Sequence, residues 1–201
     1  MKKLVLIFIT LTMSIMMVAQ EKTKQKEVGL VFSNLNSFGL TYKIGTEKSL
    51  WRFNTLFISG GNIDETADSM VSNRSNMGFR IKFGKEYRKV IITNLEFRYG
   101  ADLAFTYSQS KYNYDDKSVE DHDMLSERTT YQPGINLVLG LNYVFKDRFV
   151  IGAELLPYFS YITGKSNETS YRTNEEIEKD ISGYSYGLSN TSVLLFLSYR
   201  F

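Results

Sequence analysis

The chain has 201 residues, no cysteine, and 24 basic against 22 acidic residues, a formal charge of +2. Without cysteine there is no disulfide, no thiolate metal site and no cysteine nucleophile. A charge this close to zero, closer still once Lys2 and Lys3 are cleaved off, removes the bulk-charge case for a nucleic-acid partner.

Phe, Tyr and Gly number 14 each, against 2 Pro, which favours strands over helices. The chain opens with Met1, Lys2 and Lys3, then an apolar run over 4–18 broken only by Thr10, Thr12 and Ser14. A basic head, a short apolar stretch and a polar follow-on make residues 1–20 a secretory signal peptide, cut near Ala19 or Gln20. The run is short for a spanning helix, and no cysteine follows it to carry a lipid. Residues 21–27 are expected to be a short periplasmic lead-in, and 28–201 one β-barrel domain.

Period-two alternation marks eight strands. The first, 28–33, has Val28, Leu30 and Phe32 on one face; NLNS turns it into the second, 38–44, with Phe38, Leu40, Tyr42 and Ile44 on one face. After the turn 45–48 comes a third, 50–57, with Trp51, Phe53 and Phe57 opposite Arg52 and Asn54. A polar loop is expected over 59–75. The fourth strand, 77–83, sets Met77, Phe79, Ile81 and Phe83 against Gly78, Arg80 and Lys82. Residues 84–89 read as a short charged turn.

The fifth strand, about 90–107, opposes Leu95, Phe97, Tyr99, Leu103 and Phe105 to Glu96, Arg98, Gly100 and Asp102. A polar loop over 111–128 leads to the sixth, about 131–145. The turn KDR leads to the seventh, 149–161, and a third polar loop covers 163–180. The eighth begins near Tyr184 or Tyr186 and ends at Phe201, with Val193, Leu195, Leu197, Tyr199 and Phe201 on one face. No stretch after the leader keeps a 3.6-residue period.

Connections alternate in length. NLNS and the three long loops fall at one end, and GTEK, GKEYRK and KDR at the other, as in an outer-membrane barrel. In hydrocarbon every backbone amide must be paired, so a sheet must close on itself. The bulky aromatic faces then meet lipid, and the smaller polar faces fit a narrow eight-stranded interior. In a soluble barrel the bulky set would have to fit inside. Aromatics gather near both strand ends, like interfacial girdles. Pro133, at the start of the sixth strand, and Pro157, at the end of the seventh, are expected at the outer rim. The fold class expected is all-β: an eight-stranded antiparallel up-and-down transmembrane barrel with a plugged interior.

The pattern resembles the small eight-stranded outer-membrane β-barrel proteins of Gram-negative bacteria, with OmpA/OmpX-like or porin-like barrel domains. The resemblance rests on SVLLFLSYRF, on GLNYVFKDRFVIGAELLPYFSY, and on the leader ending near MVAQ, which looks like those of Bacteroidetes. It implies a place in the outer membrane among lipids and lipopolysaccharide. It also implies that the barrel-assembly machinery reads Leu197, Tyr199 and Phe201. Members of this broad class are anchors, adhesins, stress-related proteins, lipid-modifying enzymes or narrow channels, so the resemblance names no activity.

The expected interior charges are Lys43, Arg52, Arg80, Lys82, Glu96, Arg98, Asp102, Glu154 and Arg200. In a narrow interior such charges must be paired or hydrated. A plugging network is the leading expectation, and a narrow anion-favouring path the alternative. Glu96 with Glu154 could form an acid–base pair, but nearby cations offer simpler partners.

His122, in DDKSVEDHDM, is the only histidine. With Ser126 and an acid it would be needed for lipid hydrolysis, and it lies mid-loop. Acidic residues crowd the second and third long loops without calcium-loop spacing. They read first as a solvated face, and binding of an extracellular ligand at these loops is the best functional alternative. No catalytic residue, cofactor or metal site is assigned, and a structural or interaction role outranks a channel or a lipid-modifying enzyme.

Overall fold

A computed structural model describes residues 24–34, 37–55, 59–67, 70–116, 124–170, 175–188 and 192–201. In chain order the strands are β1 (Gln25–Asn34), β2 (Ser37–Gly45), β3 (Ser49–Thr55), β4 (Ser59–Ala67), β5 (Met70–Ile92) and β6 (Leu95–Asp116). They continue with β7 (Met124–Phe145), β8 (Phe149–Leu155), β9 (Tyr158–Ser170), β10 (Glu175–Gly187) and β11 (Val193–Arg200).

All pairings are antiparallel. Eight segments form a closed ring, β1-β2-β3-β5-β6-β7-β8-β11, which returns to β1. The seam runs through Val28↔Tyr199 and Leu30↔Leu197, and Lys26 and Phe201 exchange both backbone hydrogen bonds at 2.9 Å. Closure leaves the ring no unpaired edge, which a lipid surround requires.

Alternation decides which face meets what. On β11, Val193, Leu195 and Leu197 point out while Leu194, Phe196 and Ser198 are buried inside. On β5 the outward series runs Met77, Phe79, Ile81, Phe83, Lys85 and Tyr87. Ten residue steps at roughly 3.3 Å cover about 33 Å of strand, and a tilt near 40° projects this to about 25 Å. That is the height of the apolar band of an outer-membrane barrel. Outward Tyr143, Phe145, Phe149 and Phe201 mark its lower border.

The short turns need special backbone. Thr93 and Asn94 join Ile92 to its partner Leu95, with Asn94 at φ 68°. Asparagine tolerates this left-handed region better than most residues. In the turn 146–148, Lys146 (φ 51°) and Asp147 (φ 59°) adopt it in succession.

Several expectations fail at the strand ends. Residues 25–27 belong to β1, so the lead-in of 21–27 is too long, and Glu27 is a lumen residue. Residues 84–89 are not a turn: β5 runs on to Ile92. The long polar loops contain strand. β4 and the start of β5 occupy most of 59–75; β6 reaches Asp116 and β7 starts at Met124; β9 (158–170) and β10 (175–187) pair along their whole lengths. Above the ring this makes an extended sheet, β4-β5-β6-β7-β9-β10, while the β1–β2 hairpin stays short. Over β4 and the upper part of β5 both faces are polar, so the sequence there carries no apolar alternation.

Pro133 lies within β7, opposite Phe105, rather than at a strand start. Pro157 falls between β8 and β9, where its carbonyl accepts the Leu137 amide at 2.8 Å. The missing proline N–H interrupts the strand there. Residues 1–20 and His122 lie outside the described residues.

Candidate functional site

The inward series of the ring strands meet in one cluster. β1 supplies Glu27, β2 Lys43, β3 Arg52, β5 Glu86 and Arg88, β6 Glu96, Arg98 and Asp102, β8 Glu154, and β11 Arg200. Of the charged residues expected inside, Lys43, Arg52, Lys82, Arg98, Asp102 and Glu154 are buried, and Arg80, Glu96 and Arg200 are half-buried. Glu27, Glu86 and Arg88 join them from the stretches whose composition predicts a lead-in and a turn.

Glu86 is the hub. Its Oε2 accepts from Lys43 Nζ at 3.0 Å, Arg52 Nη1 at 3.1 Å and Arg98 Nη1 at 3.0 Å; its Oε1 accepts from Arg88 Nε at 2.7 Å. Glu154, on the non-adjacent strand β8, accepts two bonds from Arg52, at 2.9 and 2.8 Å, and one from Arg98 at 2.8 Å. Arg52 and Arg98 therefore bridge two walls that share no ladder. Both are essentially unexposed, at 1% and 0%.

A second layer lies toward the short-turn end. Arg88 Nη2 donates to Glu27 at 2.8 Å, and Ser198 Oγ donates to the same carboxylate at 2.8 Å. Arg200 donates twice to Glu96, at 3.0 and 2.9 Å, and Asn142 donates to Glu96 at 3.2 Å. Arg52 Nε approaches Asp102 at 3.2 Å. The Phe196 ring caps the cluster, with Arg98 Cζ 3.9 Å and Lys43 Nζ 5.0 Å from its centroid. Gly152 makes room for that ring, which a Cβ at this position would overlap.

Among the described residues, five carboxylates thus face five cations in a neutral assembly. Buried charges are tolerable when paired and hydrogen-bonded like this. Glu27, Glu86, Glu96 and Glu154 are occupied by guanidinium and ammonium donors, so these four are not set up as general bases, while Asp102 faces Arg52 Nε at 3.2 Å without accepting a hydrogen bond. Glu96 and Glu154 are not brought together as a pair: one belongs to Arg200 and Asn142, the other to Arg52 and Arg98.

Arg80 and Lys82 lie one level higher, toward the long-loop end. Arg80 Nε donates to Thr106 Oγ1 at 3.0 Å. Both line a cavity of about 230 Å³ with Thr106, Tyr158, Ser160 and Ser185.

Acidic side chains of the extended sheet are partly matched by lysines. Lys111 pairs with Glu127 at 3.1 Å, Lys179 with Glu168 at 2.7 Å, and Lys165 with Glu178. Hydrogen bonds from Lys111 and from Gln109 hold the Glu127 carboxyl below its ordinary value, and the bond to Glu178 raises Lys165. Ser126 lies in this upper region of β7, opposite Tyr112. Leu197, Tyr199 and Phe201 form the outer face of the closing strand, where Tyr199 and Phe201 stack at 6.3 Å and Tyr199 meets Phe149 edge-on at 5.3 Å.

A closed antiparallel ring with a lipid-facing apolar band and a charged lumen is an outer-membrane β-barrel. The chain belongs to the family described as "Putative OmpA-OmpF-like porin family", which matches residues 61–182. Its location is the outer membrane. No curated protein matches the chain.

Among solved structures it is similar to a major outer membrane protein from Thermus thermophilus, at 11% identity and a TM-score of 0.49, covering 90% of this chain and 100% of that one. It is similar to Ail, the attachment invasion locus protein of Yersinia pestis, at 12% identity and a TM-score of 0.36, covering 89% and 97%. It is also similar to CarO of Acinetobacter baumannii, at 8% identity and a TM-score of 0.36, covering 88% and 96%.

Proposed function

We propose that this protein is a non-enzymatic barrel of structural or interaction type, in which the ion-pair network plugs the lumen and the extended sheet meets extracellular partners. The observation that carries the reading is the double bridge of Arg52 and Arg98 between Glu86 and Glu154. Opening a water column through it would require breaking several buried charge-assisted bonds at once, each worth about 1.5–3 kcal/mol. The space among Lys43, Arg52, Arg98, Glu154 and Phe196 has no room for a water molecule.

On this reading lipids and lipopolysaccharide surround the wall, the assembly machinery engages Leu197, Tyr199 and Phe201, and a ligand meets the extended sheet. Residues 1–20 serve as the export signal. Planar-bilayer recording tests the central point. Silence at high protein load is the expected result. Discrete steps whose size changes in Arg52→Ala would establish a narrow channel instead.

A further inference from the structure

We propose that the cavity above the ion-pair network binds a phosphate-class anion. Two lumen cations above the ion-pair network, Arg80 and Lys82, both face this one cavity. No acidic residue lines it among the described residues. The rest of its lining is rich in hydroxyls and amides: Thr106 on one wall, Tyr158, Ser160 and Ser185 across from it, and Gln132 and Asn136 between. Tyr158 and Ser185 are already linked at 3.0 Å, which orders that wall.

Lys82 supplies the physical reason. Its side chain is only 5% exposed, and it makes no ion pair among the described residues. A buried ammonium with no anion at contact distance is compensated only in part by Glu154 and Asp102 further off. Arg80, two residues away on the same face of β5, adds a planar donor suited to phosphate oxygens. An anion between them gains two charge-assisted contacts and hydroxyl donors from the opposite wall. The cavity is large enough for phosphate or a small phosphate monoester. Apart from Phe159, its side chains belong to the inward face, so the anion comes from water rather than from a lipid headgroup. Binding there does not depend on whether the barrel conducts.

The test is calorimetric titration of the full barrel, folded in uncharged detergent, with sodium phosphate at neutral pH and low ionic strength. Saturable binding is expected, with chloride at matched ionic strength giving none. Lys82→Met weakens it about tenfold or more, Lys82→Arg retains it, and Lys165→Met on the extended sheet leaves it unchanged. A heat-modifiable gel shift reports folding of each variant; if Lys82→Met does not fold, Arg80→Gln carries the same expectation. Absence of saturable binding in the wild type overturns the proposal, as does unchanged affinity in the variant. Binding of lysophosphatidic acid without binding of free phosphate overturns it as well.

Discussion

Arg52 and Glu154 lie 102 positions apart and meet across the lumen in two parallel hydrogen bonds of 2.9 and 2.8 Å. This pair joins β3 to β8, which share no ladder, so the ring is braced through its middle as well as around its wall. Removing one partner leaves the other charge buried and uncompensated, at a cost of about 3–5 kcal/mol. Arg52→Ala and Glu154→Ala should each destabilise by that order, and the double variant by less than the sum. Denaturant unfolding, followed by the fluorescence of the single tryptophan Trp51, checks this.

Glu86 answers to four cations and Glu96 chiefly to one arginine. Glu86→Gln should therefore be the more damaging of the two substitutions, by about 2 kcal/mol or more. Equal losses in the same unfolding assay would mean that the hub is no more than the sum of its rim.

Gly152 lies beneath the Phe196 ring, and the carbonyl of Leu141 approaches on the same side, within overlap distance of where a Cβ would be. Gly152→Ala should push the ring off Arg98 and cost about 1–3 kcal/mol through overpacking. Pairing it with Phe196→Leu should recover part of the loss. No recovery in the double variant would place the strain on the backbone contact instead.

Lipid-facing positions should respond by depth. Leu137 lies midway along the outward series of β7 between Tyr131 and Phe145. Leu137→Arg should cost about 2–4 kcal/mol, and Phe145→Arg at the border only about 0–1. Folding equilibria into lipid vesicles measure both.

Glu127 gives the extended sheet a pH response. Its folded carboxyl titrates below its unfolded value because Lys111 and Gln109 donate to it. The stabilisation is present above the unfolded value and is lost as pH falls through the depressed folded one. Amide exchange at Ser110 and Arg128, paired across β6 and β7, should quicken relative to the ring as the solution is acidified below about pH 4. Glu127→Gln should abolish that extra acid sensitivity.

The ring was legible in the sequence because each spanning strand has one face in lipid and one in the lumen, which forces period-two alternation. Met77 to Phe83 and Val193 to Leu197 show it plainly. The upper sheet was not legible, because Asn73, Ser75, Ser108 and Gln109 lie where both faces meet water and neither is apolar. Glu86 and Arg88 were missed for another reason. GKEYRK has the composition of a turn, yet Gly84, Glu86 and Arg88 continue the parity of Gly78, Arg80 and Lys82. Lys85, counted as a turn charge, lies outside over the rings of Trp51 and Tyr87, at 5.1 and 5.6 Å. Parity carried through the charged run would have found the hub.

The exchange of both backbone bonds between Lys26 and Phe201 makes the ring a cycle in the strict sense, with eight equivalent neighbours and no privileged starting strand. Joining residue 201 to residue 25 by a short linker and cutting the chain between β6 and β7 would preserve every pairing. The order in which the strands are written along the chain is then a matter of biosynthesis, while the closed wall itself carries no record of where it was begun.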